Sequence, residues 1–376
     1  MISADGFRYD FADKFQASHL QEFRKRGIES AYMQPSFPSL TFPNHYTLAT
    51  GLYPAHHGIV DNTFYDLKKE MLYTIGNKKA VADSSWYGGT PLWVLAEQQK
   101  MISASFYWVA SESAIQGVRP TYYYTYNEAI PIGRRIEILK NWLELPEDQR
   151  PHFITFYFPE VDHQEHRYGV DSKETKEAVH FIDESMNLMV RRIDSLGLNV
   201  NYIFVSDHGM IDIDTVSTLS LPPALDTSRM KLATGVSTVH IYLKDPSYRQ
   251  EAYEILKKDA KDYDVYYSDS LPASWHYDKK DDVFNRTGDI VLVAHVTKAF
   301  NIMKRHLPAA EHGYDPAIPE MHATFYAWGP AFKKNMKIEG FENINVYPLI
   351  AKILDLKISS PVDGKLKVLE PILKKK

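Results

Sequence analysis

Cysteine is absent from the 376-residue chain. That excludes disulfide scaffolds, thiolate nucleophiles and cysteine-ligated zinc together, so any metal site must be assembled from histidines and carboxylates. It leaves the compartment open, because cytosolic and cysteine-poor periplasmic proteins are alike in this respect. Long apolar runs are also missing. Stretches such as Phe153–Phe158 and Ile290–Val293 fall far short of the ~18 residues that a membrane-spanning helix requires. Nor is there an excess of basic residues: Lys+Arg 43 against Asp+Glu 48 gives a formal charge of -5, which argues against a long nucleic acid as partner and favours a small ligand. The opening Met1-Ile2-Ser3-Ala4-Asp5-Gly6 has neither a charged n-region nor an apolar h-region.

What is present is an ordinary globular composition, 44% hydrophobic and 24% charged, in a length that suits one large α/β domain with an insertion. Short β-rich runs alternate with longer amphipathic stretches, the pattern of a doubly wound, mostly parallel sheet with helices on both faces. Strands are expected at Ile2–Ala4, Ile102–Trp108, Phe153–Phe158, Tyr202–Val205, Thr238–Leu243, Ile290–His295 and Ala323–Trp328. Helices are expected over Lys14–Arg26, from Thr90-Pro91 as cap and first helical residue, and over Lys173–Leu196, where Val179, Ile182, Met186, Met189 and Ile193 recur at helical spacing. From about Leu221 to Pro308 the texture changes, which suggests a small αβ subdomain or lid inserted into a single catalytic domain over residues 1–376. Lys374–Lys376 reads as a solvated tail, and the Asn285-Arg286-Thr287 glycosylation triplet is common by chance.

Acidic and histidine residues fall where strands end, and in open α/β sheets ligands bind at that carboxyl edge. Asp5 follows the first strand, Asp162 and His166 come soon after Phe158, Asp207-His208 follow Val205, and His312 precedes Gly313-Tyr314. Singly, each has an ordinary explanation as cap, turn or core residue. Together they suit zinc, and there are enough of them for two ions of the kind that clamp attacking and leaving oxygens in phosphoryl transfer. Thr41-Phe42-Pro43-Asn44-His45 through Gly51 reads as a short helix with Thr41 at its N-terminus, where backbone N–H groups and the helix dipole favour an anion. Thr41 is either an N-cap or a hydroxyl nucleophile activated by a bound metal.

The segments DGFR, TFPNHYTLATGLYPAHHGIVDN, VSDHGM, HGYD and GPAFK, in this order, resemble the nucleotide pyrophosphatase/phosphodiesterase family of the alkaline phosphatase superfamily, from Asp5 to about Leu356. The resemblance implies an alkaline phosphatase-like fold and two zinc ions, one held by Asp5, Asp207, His208 and the Thr41 oxygen, the other by Asp162, His166 and His312. It implies Thr41 as nucleophile, a covalent threonyl-phosphoryl intermediate and Asn62 as donor to a phosphoryl oxygen. Phe42, Tyr126 and Tyr157 match positions that sandwich or flank a nucleobase, which favours nucleotide substrates over lysophospholipid or choline diesters. The Asp162 motif departs from the family pattern, which commonly has a Pro-Asp pair and a Gly before the histidine; here it is Pro159-Glu160-Val161-Asp162-His163-Gln164-Glu165-His166, with ligand spacing kept. His163 and His322 are rival ligand candidates. A phosphomonoesterase of the same superfamily would share the metals, and a catalytically inactive binding protein would have lost a ligand or the nucleophile. A sulfatase is excluded, because Ser36-Phe37-Pro38-Ser39-Leu40 lacks the required Arg. With Ile2–Ala4 reading as a strand cut short, the expectation is that an upstream export signal has been lost and that the protein works in a bacterial periplasm or at the cell surface.

Overall fold

The computed structural model describes residues 1–375. Its main sheet has eight strands in the order Met336–Ile338, Ile28–Ser30, Phe325–Trp328, Tyr202–Val205, Ile2–Ala4, Phe153–Phe158, Ser103–Phe106, Tyr122–Tyr124. All neighbours pair in parallel except Phe325–Trp328, which runs antiparallel to both of its partners. Side chains alternate across the sheet. Tyr202 and Phe204 enter one core with Val179, Ile182, Met186, Met189 and Ile193, while Ile203 and Val205 enter the other with Tyr46, Leu48 and Trp93. Both faces are therefore covered by helices, as a parallel sheet requires.

The Lys173–Asp194 helix matches the expected apolar stripe, and its start is capped by the Ser172 hydroxyl, which accepts from Thr175 N. Two other helices differ from expectation. Lys14–Arg26 is broken into Phe11–Lys14 and Ser18–Arg26 by Gln16 at φ +58. The second piece starts where it does because the Asp183 carboxylate, from a distant helix, accepts from His19 N and Leu20 N. Thr90 does not cap: the helix is Leu92–Gln98 with Pro91 as N-cap, and the Thr90 hydroxyl and carbonyl accept instead from Gln116 Nε2 and the Tyr347 hydroxyl. Lys374 and Lys375 are exposed, as a solvated tail would be, though Lys374 is tethered by its N–H to Ala331 O and its ammonium to Pro330 O; Lys376 lies outside the described residues.

Residues Met230–Thr234, Thr238–Leu243, Ile290–Ala294 and Tyr263–Tyr267 form a separate antiparallel sheet in that spatial order. The helix Arg249–Asp259 packs Ala252 and Leu256 against it.

Helix Thr41–Thr50 ends at Gly51, whose φ of +68 is left-handed and whose missing Cβ would lie 2.8 Å from Tyr347 Cβ. Gly51→Ala should therefore combine backbone strain with a clash and cost about 1–3 kcal/mol. Urea unfolding curves would check this; an unchanged midpoint would contradict it.

Candidate metal centre

Parallel register alone brings the ligand candidates together. Ala4 pairs with Phe158 and Ser3 with Val205, so the residues just beyond these strands, Asp5, Asp162 and Asp207-His208, emerge side by side at one sheet edge. The backbone draws them closer, with Asp162 N donating to Asp5 O and Gly6 N to Asp207 Oδ1. Asp162 and His166 lie one turn apart on helix Glu160–Tyr168, which places His166 Nε2 3.3 Å from Asp162 Oδ1. His312 arrives from the loop after Ala310–Glu311, with Nε2 3.7 Å from Asp162 Oδ1 and its ring stacked on His208 at 3.7 Å between centroids. His208 Nε2 in turn is 3.0 Å from Asp207 Oδ2 and 3.4 Å from Asp5 Oδ1.

Three imidazoles are oriented in one way. His166, His208 and His312 each direct Nδ1 at a backbone carbonyl, of Ala310 at 2.8 Å, Gly209 at 2.9 Å and Ser39 at 2.9 Å. A carbonyl only accepts, so Nδ1 carries the proton and Nε2 is turned toward the carboxylates, the arrangement found in histidines that ligate metals. Asp5 Oδ1, Asp162 Oδ1 and Asp207 Oδ2 are all buried without a hydrogen-bond partner. Burial, then the charges of Asp207 and Asp162, push the Asp5 carboxyl well above its ordinary range. Burial, then His208, holds His312 well below the usual imidazole value. Convergent acceptors with orphaned oxygens are a cavity for cations, and carboxylate with imidazole is a donor set that zinc fits. The donor atoms fall into the groups Asp5/Asp207/His208, Asp162/His208/His312 and His166/Glu311/His312, each within 4.8 Å.

Thr41 is the first helical residue, with Leu40 as the extended N-cap and no side-chain capping bond. Its hydroxyl is thus not spent on the helix; Oγ1 lies 3.2 Å from His208 Nε2. The Asn44 amide builds this turn, donating to the carbonyls of Ser36, Pro38 and Leu40. Asn62 Oδ1 accepts from Phe42 N at 3.0 Å, which leaves its NH2 free to donate. Tyr126 is 42% exposed and bonded to Glu128, as an open aromatic platform would be. Tyr157 is buried, and its hydroxyl donates to Asp5 Oδ2 at 2.5 Å, so besides lying 6.1 Å from the Tyr126 ring it holds a ligand candidate in place. His163 turns outward toward Glu128, and His322 stacks on Tyr32; neither joins a donor group.

Sequence reasoning missed three residues here. Glu311 is buried, accepts from His312 N at 3.0 Å and has Oε1 3.6 Å from His312 Nε2; its place directly before His312 was the available signal. His45, one turn after Thr41, donates from Nδ1 to Thr41 O at 3.0 Å, and the same nitrogen stands 3.2 Å from Asp207 Oδ2. Glu165, in place of the family's common Gly, is fully buried with both oxygens unpartnered beside Gly6, where a Cβ would lie 2.7 Å from Glu165 Oε2. Burial, then the Asp162 charge, push its carboxyl well above the usual range.

A family model described as type I phosphodiesterase/nucleotide pyrophosphatase matches residues 1–315. Mouse ectonucleotide pyrophosphatase/phosphodiesterase family member 1 is 32% identical over 100% of this chain and 42% of its own length. A Schizosaccharomyces pombe pyrophosphatase/phosphodiesterase is 32% identical over 95% of this chain and 76% of its own length. The chain thus spans less than half of the mouse relative. Among solved structures, murine ectonucleotide pyrophosphatase/phosphodiesterase 5 superposes with a TM-score of 0.93 at 29% identity over 99% of both chains. An inactive threonine-to-alanine form of that murine protein, in complex with AMP, gives 0.92 at 28% identity over 99% of this chain and 98% of its own.

If Glu311 helps to hold a cation with His166 and His312, Glu311→Gln should weaken zinc retention about tenfold. Metal content after dialysis against graded chelator would measure this, and identical retention would remove Glu311 from the site. Adding zinc to the metal-free parent protein should raise the melting temperature by several degrees, because a ligand that binds only the folded state stabilises it.

Proposed function

The chain belongs to the type I phosphodiesterase/nucleotide pyrophosphatase family, and from that premise we propose that it is a zinc-dependent hydrolase of nucleotide phosphodiester or pyrophosphate bonds that releases a nucleoside 5′-monophosphate. The observation that carries this reading is the Thr41 hydroxyl, unspent at a helix N-terminus and 3.2 Å from the Nε2 of a histidine in the donor cluster. Two zinc ions, one with Asp5, Asp207, His208 and Thr41 and the other with Asp162, His166 and His312, would supply the charge that lowers the hydroxyl pKa and neutralises phosphoryl oxygens.

The residues of the chain do the rest. Thr41 Oγ1 attacks phosphorus in line; the Oγ1–P bond forms as the bond to the leaving group breaks, giving a covalent threonyl-phosphoryl ester. His45 holds the Thr41 carbonyl through Nδ1 and stands beside Asp207, between nucleophile and ligand. Asn62, with its carbonyl already bound to Phe42 N, donates through its NH2 to an oxygen where charge develops. Water then attacks from the side the leaving group vacated, and Thr41 is released unchanged. Two displacements at one phosphorus give retention of configuration.

Phe42 and the exposed Tyr126 support a nucleobase as the recognised group, since stacking on an aromatic is worth about 1–3 kcal/mol per base. The AMP complex of the murine neighbour supports the same substrate class. The ecto designation of the relatives supports a site of action outside the cytoplasm.

Thr41→Ala should retain zinc and lose at least about a thousandfold in kcat toward bis-nitrophenyl phosphate, in the range seen when a nucleophile is removed. Survival of kcat would exclude the covalent route, as would inversion with a chiral phosphorothioate diester. Tyr126→Ala should raise KM for a nucleotide nitrophenyl ester about tenfold while barely changing that for plain bis-nitrophenyl phosphate, in keeping with a lost stack; equal effects on both would count against base recognition.

A further inference from the structure

The segment Gly58–Asp66, a turn that carries Asn62 and runs into the short strand Thr63–Asp66, is held largely from outside the main sheet. Arg286, fully buried, donates through Nη1 to Gly58 O and through Nε to Asp66 Oδ2. The Tyr277 hydroxyl donates to Val60 O at 2.6 Å, and Tyr65 N donates to the Tyr242 hydroxyl at 3.1 Å. Beside Asn62 itself, both oxygens of Asp61 are occupied. Oδ1 accepts from Thr63 N at 2.9 Å, an Asx-type bridge that spans Asn62. Oδ2 accepts from the Thr238 hydroxyl at 2.9 Å and faces His240 Nε2 at 3.3 Å. Thr238 and His240 are buried neighbours on one strand of the second sheet.

We propose that Thr238 and His240 grip Asp61 so as to position Asn62 for donation to the phosphoryl oxygen, making the second sheet part of the catalytic apparatus. This rests on the role given to Asn62 above. His240 is suited to the task because its ring lies between two acceptors, Thr287 O at 3.0 Å from Nδ1 and Asp61 Oδ2 at Nε2. Only the imidazolium, with a proton on each nitrogen, satisfies both. Burial opposes that charge, but the hydrogen bond and charge of Asp61, with Asp282 nearby, raise the imidazole above its ordinary value. The other groups facing it are the Tyr277 ring, 6.2 Å away, and Thr287. A charged pair inside the protein is a directional tether, strong only while both members stay in place. Asn62 is then fixed twice: its backbone turn by Asp61, and its side chain by Phe42 N.

A double-mutant cycle on the zinc-loaded full chain with bis-nitrophenyl phosphate tests this. His240→Gln should lower kcat about tenfold with KM within about twofold and zinc content unchanged, while in an Asn62→Ala background the same change should cost less than about twofold. Thr238→Val, which deletes one hydroxyl, should cost about threefold with the same loss of effect in that background. A lowered melting temperature with unchanged kcat would overturn the proposal, as would an equal loss whether or not Asn62 is present. Should Asn62→Ala alone turn over normally, the role of Asn62 fails rather than the grip of the second sheet on its loop.

Discussion

Repulsion between three buried carboxylates at the ends of neighbouring strands is the constraint around which the site is organised. Two unit charges about 4 Å apart repel by roughly 4 kcal/mol at an effective dielectric of 20, and Asp5, Asp162 and Asp207 are all buried. Among the described residues, Tyr157 bonds Asp5 Oδ2 and Gly6 N bonds Asp207 Oδ1, while Asp5 Oδ1, Asp162 Oδ1 and Asp207 Oδ2 have no hydrogen-bond partner. The imidazoles of His166, His208 and His312 are turned by carbonyls on three different segments so that they add lone pairs to the same space. A fold that places so many acceptors together is stable in proportion to the positive charge it recruits.

Much of this was legible in the sequence, for a definite reason. Asp5, Asp162, His166, Asp207 and His208 sit one to eight residues beyond apolar strands, and parallel pairing then converts position in the chain into position at one edge. The Thr41 helix was legible through Pro43 and Gly51. What escaped has physical causes too. The break at Gln16 depends on a carboxylate more than a hundred residues away. The strands Ile28–Ser30 and Met336–Ile338 have three residues each, too few to show a period of two. Glu311 and His45 escaped because a single Glu or His beside a motif has no pattern of its own. Their parts became visible only as distances to His312, Thr41 and Asp207.

The two sheets divide the labour around Thr41. The main sheet supplies the acceptors for cations on one side of the hydroxyl. The loop carrying Asn62, tied to the second sheet through Arg286, Tyr277 and Thr238, brings Asn62 onto Phe42 N, next to Thr41. Charge from one module and hydrogen-bond geometry from the other meet at the helix N-terminus.

The position of Ile2–Ala4 in the middle of the main sheet has a consequence for how the molecule assembles. This strand, among the first residues of the chain, pairs with Phe153–Phe158 on one side and Tyr202–Val205 on the other. The next strand out, Phe325–Trp328, comes still later. Contacts of such long sequence separation carry a loop-closure penalty before they give any return, which slows folding. During synthesis this strand has no partner in the sheet until Phe153–Phe158 has emerged, and its second partner, Tyr202–Val205, follows later still. Asp5 consequently meets Asp207 and His208 only as the sheet closes, so the centre of the site is among the last places to take shape.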